Sequence, residues 1–188
     1  LIGQVQSPQD SQLSAGIEAV VSELLVNDGD TVMQGTVLAK LDDRDAQLSL
    51  IESEADLKEA SAQLKLTSLR YIQAESAYKK EQDLLAITQK RYKRSQDLLK
   101  RNVLSKNDFD AATENLTRQE LAVSKAELVM QENQSKNTEL EAKISRLSAK
   151  RDKSALELER ATIVAPFNGV VSELTISLGD RVRYGDPI

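Results

Sequence analysis

A chain of 188 residues has room for one or two ordinary domains, but aromatics are only 3% of it and charged residues 29%, which excludes a thick globular core. The absence of Cys and His excludes disulfides, thiolate nucleophiles and the usual zinc and haem ligand sets. A net charge of -5 argues against a general nucleic-acid binder, and no run of about 18 apolar residues is present to form a helical membrane span.

The first element is a β-type stretch, "AGIEAVVSELLVNDGDTVMQGTVL" (Ala15 to Leu38). Its Val, Ile and Leu alternate loosely, and the glycines of Asn27-Asp28-Gly29-Asp30 and Gly35 supply turns. The same unit returns 150 residues later as "APFNGVVSELTISLGDRVRYGDPI" (Ala165 to Ile188), with ten of twenty-four positions identical. A half-sized β unit buries too little on its own, so the copies are expected to share one core. Val20 and Val21 are expected to pack there with Val170 and Val171. The acidic run Asp42, Asp43 and Asp45 that follows the first copy reads as helix capping.

All seven Gly lie at or before Gly35 or at or after Gly169, and no Pro falls between them until Pro166. The intervening sequence therefore lacks both strong helix breakers. It carries a heptad repeat instead. Leu50, Leu57, Leu64, Tyr71, Tyr78, Leu85, Tyr92 and Leu99 hold one position, and mostly small residues from Ser53 to Ser95 hold the position three residues on. One large and one small position per heptad suits a close two-helix seam. A second series runs from Phe109 to Leu158, interrupted by Asn133 and Asn137. Helices are expected over about 44–101 and 106–161, each roughly 85 Å long at 1.5 Å per residue.

The phase is lost in "RNVLSKNDFD" (Arg101 to Asp110), where Ser105 followed by Asp108 reads as an N-cap with an acidic third residue. With so short a connection the helices turn back antiparallel. The predicted fold class is α+β, mainly α, with a β half at 1–43, a helical hairpin at 44–161 whose tip lies near 101–106, and a second β half at 162–188. The chain begins with Leu1 and stops inside an apparent strand, so it is expected to be a piece of a longer protein with any anchor upstream.

The duplicated "GVV…GDxVxxG" pattern resembles the two halves of a biotinyl/lipoyl-type domain. The order half-domain, long coiled-coil hairpin, half-domain is similar to the membrane fusion protein family, the periplasmic adaptors of the haemolysin D type. "VLAKLDDRDAQLSL" and "RATIVAPFNGVV", which lead into and out of the hairpin, carry the same resemblance. It implies a periplasmic protein held at the inner membrane through a segment outside this sequence. The residues themselves offer no paired nucleophile and base, no Gly-rich phosphate loop and no metal cluster, so neither enzymatic activity nor a cofactor is expected. The implied partners are a TolC-type outer-membrane channel and an inner-membrane transporter of the resistance–nodulation–division or ABC type, with six adaptors in a ring and no nucleic acid.

Two other readings compete. A biotin or lipoyl carrier presents a Lys at the tip of a tight hairpin between its halves, whereas here about 115 residues stand in that place and Lys40 falls inside a strand pattern. A structural coiled-coil scaffold would explain the heptads but not the repeated β halves.

Family tips that meet TolC-type channels carry Arg, then Leu four residues on, then Ser seven beyond. Arg94, Leu98 and Ser105 match that spacing, which marks them as candidate partner-binding residues. Arg94 and Leu98 are one turn apart on one face and lie off the seam, so both are expected to point outward. From Lys90 to Lys106 there are seven basic residues and one acid, Asp97, against a chain that is acidic overall. This charge fits an acidic protein partner.

Overall fold

The computed structural model describes residues 11–188; residues 1–10 of the first β half, Pro8 among them, lie outside the described residues. In chain order the elements are β1 (Ala19–Leu24), β2 (Thr31–Val32), β3 (Val37–Leu41), α1 (Arg44–Lys100), α2 (Lys106–Glu159), β4 (Thr162–Val164), β5 (Gly169–Val170) and β6 (Arg181–Val182). They form two compact units, one from residues 11–57 with Leu147–Ile188 and one from Lys58–Arg146.

The first unit holds the β module. Its strands pair antiparallel in the order β4-β3-β1-β6, with β2-β5 as a separate ribbon. The sequence repeat becomes a swapped pairing. Val21 N–H donates to the Asp180 carbonyl and Gly179 N–H to the Val21 carbonyl. In the equivalent exchange, Val171 donates to Asp30 and Gly29 to Val171. Each Gly-Asp turn is thus bonded to the strand of the other copy. Both turn glycines sit at positive φ (88° and 87°), where a Cβ is strained. Asp30 and Asp180 close their own turns by accepting from the Asn27 and Ser177 N–H groups.

The core follows the same pairing of equivalents. Ala15 and Ala165, Val26 and Ile176, and Val32 and Val182 are all buried in one cluster with Val21, Ala39 and Leu41. The expectation of a shared core is met by Val21 (1% exposed) and by Val171, which packs against it. It fails for Val20 and Val170, at 39% and 63% exposure. Successive strand residues face opposite sides, so a Val-Val pair cannot bury both members in a one-sided core.

The copies also differ. The first forms a six-residue strand, whereas the second is regular only over Gly169–Val170. Glu173 adopts a left-handed φ of 58°, and the next N–H, that of Leu174, donates to the Asp28 side chain instead of a strand neighbour. Lys40 lies within β3, opposite Thr162, with its ammonium 2.8 Å from Glu23.

The base of the hairpin belongs to this unit. Its seam is narrow because small residues fill it: Ser53 and Ser154 are buried, and Ser49 Oγ lies 3.2 Å from Ser154 Oγ. Lys150 spans from α2 to Asp56 of α1 at 2.9 Å. At the helix start, Asp43 lends its carbonyl to the Gln47 N–H and its carboxylate to the Gln47 amide. Asp42 accepts the Arg44 guanidinium on both oxygens, at 2.9 and 2.6 Å. These side-chain hydrogen bonds hold Asp42 at about 2, below its ordinary 3.8. A depressed carboxylate contributes stability that is full above pH 3.8 and disappears as pH falls through about 2. Asp42 remains partly open to solvent, so the effect is small. Asp42→Asn is expected to lower the urea-unfolding midpoint slightly at pH 7 and to leave it unchanged near pH 2, so that the acid limb between pH 4 and pH 2 is flatter.

In the second unit the seam positions alternate as the heptads require, with Ala60, Thr67 and Leu140 fully buried. Gln119 of α2 donates its side-chain amide to both the backbone oxygen and the carboxylate of Glu81 on α1. Asn137 occupies a seam position with its Oδ1 shielded from solvent.

Candidate partner-binding site at the hairpin tip

The tip is built by two local motifs that meet. At the end of α1, Asn102 takes a left-handed φ of 57°, a conformation Asn tolerates better than most residues. Its N–H donates to the Leu99 carbonyl, and the Val103 N–H donates to the Leu98 carbonyl, both at 2.9 Å. This is a Schellman stop, which satisfies carbonyls that the helix end leaves free. At the start of α2, Ser105 is the N-cap: its Oγ accepts the Asp108 N–H at 3.2 Å and donates to the Asp108 carboxylate at 2.6 Å. In the usual capping box the third residue reaches the cap's backbone N–H; here Asp108 grips the cap's hydroxyl. Five residues, Arg101 to Ser105, separate the two helices, and the Tyr92 and Phe109 rings pack 5.4 Å apart at their base. Ser105→Ala removes the cap and is expected to lower stability by about 1 kcal/mol in a urea melt.

Arg94 is exposed on α1 and Leu98 follows one turn later. Leu98 is half-buried, not turned fully outward as the sequence suggests. It precedes the seam residue Leu99, and the Schellman bond draws Val103 back to its carbonyl. Ser105 sits in the turn with its hydroxyl engaged by Asp108, so its role in shaping the loop is explicit. Sequence reasoning passed over two residues here. Val103 is 70% exposed, the most open apolar group at the turn. Asn102 was visible as a stop signal, since Asn is a common residue just past a helix end.

The electrostatics are one-sided. Asp97, the single acid among seven bases from Lys90 to Lys106, lies 3.9 Å from Lys100. The rest of the tip presents exposed Arg and Lys side chains, with the half-buried Leu98 and the exposed Val103 as apolar residues among them. Such a surface suits docking against an acidic protein with an apolar contact point, in which charge guides the encounter.

Comparison with known proteins places the chain. The family profile described as CzcB-like, barrel-sandwich hybrid domain matches residues 9–188. The chain is 32% identical over 180 residues to the colistin resistance protein EmrA of Acinetobacter baumannii, covering 88% of this chain and 51% of that one. It is 26% identical over 177 residues to the multidrug export protein EmrA of Haemophilus influenzae, covering 92% and 45%. The chain thus spans about half the length of these curated relatives. Among solved structures, the periplasmic adaptor protein EmrA superposes with a TM-score of 0.57 at 21% identity, covering 94% of this chain and 69% of that one. MacA from Actinobacillus actinomycetemcomitans gives 0.56 at 18% identity, covering 95% and 46%. At these identities the structures establish a shared fold.

Proposed function

Since the chain belongs to the CzcB-like barrel-sandwich hybrid family of membrane fusion adaptor proteins, we propose that its hairpin tip docks onto a TolC-type outer-membrane channel while the complete protein engages an inner-membrane transporter. In this reading the protein works in the periplasm, tied to the inner membrane by a part of the protein outside this sequence, and assembles as a ring of six. Among the described residues no helix is long and apolar enough to cross a membrane. The relatives named for colistin resistance and multidrug export favour small toxic compounds as cargo.

Arg94, Leu98 and Ser105 have distinct parts in this docking. Arg94 provides an exposed cation and Leu98 the edge of an apolar contact. Ser105 fixes the turn that presents both. The observation that carries the reading is the exposed basic cluster, seven bases to one acid, mounted on a turn that two caps hold rigid. A cluster of like charges does not stabilise a hairpin end, and so fits a surface kept for a partner. The test is export of a toxic compound by cells carrying Arg94→Asp in the full-length protein, set beside the abundance and melting of the purified variant.

A further inference from the structure

The seam of the unit Lys58–Arg146 changes character over one short stretch. Along α2 its positions are apolar toward the tip, with Val123, Ala126 and Met130, and apolar again toward the base, with Leu140 and Ile144. Between them stand Asn133 and Asn137. Counting outward from the Glu81–Gln119 hydrogen bond, one residue on each helix at a time, sets Asn133 level with Thr67 and Leu140 level with Ala60. Asn137 lies between those two levels. The layer is tightly closed: Thr67 is 1% exposed, Ala60 2% and Leu140 7%.

The polar groups of this layer are satisfied unevenly. Thr67 Oγ1 donates to the Gln63 carbonyl at 3.0 Å, and Asn133 Nδ2 donates to the Val129 carbonyl at 2.8 Å, each within its own helix. Asn137 Oδ1 is shielded and accepts no hydrogen bond. Nearer the tip the bonds run differently. Gln119 reaches across to the backbone oxygen and the carboxylate of Glu81, so parting the helices there breaks two hydrogen bonds. Parting them beside Asn137 breaks neither the Thr67 bond nor the Asn133 bond. It also returns Asn137 Oδ1 to water, and an acceptor buried without a partner loses its full hydration until that happens. The small side chains of Ala60 and Thr67 give the layer little apolar surface to hold it shut.

We propose that the Asn133–Asn137 layer is a built-in weak point of the arm, where the two helices part and reclose locally while the seam on either side stays shut. The cost of opening a segment follows the contacts it surrenders, and this layer surrenders the fewest. The bonds that Thr67 and Asn133 make to their own helices persist in both states, so the opening separates the helices and does not start by unwinding them. The arm therefore yields at a fixed place along its length. The inference concerns the hairpin alone and does not rest on the adaptor reading.

The sequence has no Cys, so a single introduced thiol reports its own position. Thr67→Cys and Ser53→Cys each place a thiol where the closed hairpin exposes 1% or less of the residue. In the purified protein without denaturant, Thr67→Cys is expected to react with a water-soluble disulfide reagent at least about tenfold faster than Ser53→Cys. The lead should persist in low urea, because a local opening exposes little surface and responds weakly to denaturant. Adding Asn137→Leu removes the dry acceptor and is expected to slow the Thr67→Cys reaction about tenfold, to raise the melting temperature, and to leave the Ser53→Cys rate unchanged. Asn137→Ala, which removes the acceptor without adding bulk, should slow the Thr67→Cys reaction in the same direction. Equal rates for Thr67→Cys and Ser53→Cys would overturn the proposal. So would a fast Thr67→Cys reaction that neither Asn137→Leu nor Asn137→Ala slows.

Discussion

Arg94→Asp is expected to abolish export while the protein accumulates and melts like the parent. Arg94 is exposed on α1, outside the seam, and surface changes of this kind usually stay within about 0.5 kcal/mol. At a docked tip the same change reverses a charge facing an acidic partner, and like charges forced together at an interface cost several kcal/mol. Because 1.4 kcal/mol is a factor of ten in binding, a cost of that size empties the complex at cellular concentrations. Leu98→Asp is expected to act in the same direction by replacing an apolar side chain with a charge, with some added loss of stability because Leu98 is half-buried. Normal export by Arg94→Asp at parental abundance would remove the tip from the docking site and leave the TolC-type partner without its main support.

Val21→Asp is expected to unfold the β module. Val21 is 1% exposed and its backbone bonds the Gly179-Asp180 turn of the other copy, so a carboxylate there is buried without a partner at the join between the halves. The cost is at least about 4 kcal/mol, a large part of the 5–15 kcal/mol that holds a typical domain. Val170→Asp is the control. The chemistry is the same and the repeat is the same, but the side chain is 63% exposed, and the expected change is within about 0.5 kcal/mol. Urea titration of both variants, read by limited proteolysis at the β strands, separates the two. Equal effects would mean that the swapped pairing does not carry the module's stability.

The boundaries of α1 and α2 were legible to within about two residues because their signals are local. The run free of Gly and Pro sets their extent, the heptads set their inner faces, and Ser105 with Asp108 sets the start of the second helix. The turn at the tip was legible for the same reason, whereas Arg94, Leu98 and Ser105 were singled out there by the spacing of the family resemblance. Leu98 marks the limit of that argument. Heptad phase places it off the seam, but phase does not say that the turn returns to its carbonyl and takes part of its exposure.

By itself the sequence determined the hairpin, the duplicated β halves and their common membership in one module. Each of these rests on periodicity, turn chemistry or repetition, which act between near neighbours or leave a direct copy in the text. Only the tertiary structure decided how the copies join. The exchange of Gly-Asp turns between Val21 and Val171, the burial of one Val in each Val-Val pair, and the loss of regular strand at Glu173 all depend on groups about 150 residues apart. Two equal copies offer each turn a strand in its own half and one in the other. The long hairpin brings the far strand within reach, and backbone groups left unpaired in a small core would be too costly for the halves to stay separate.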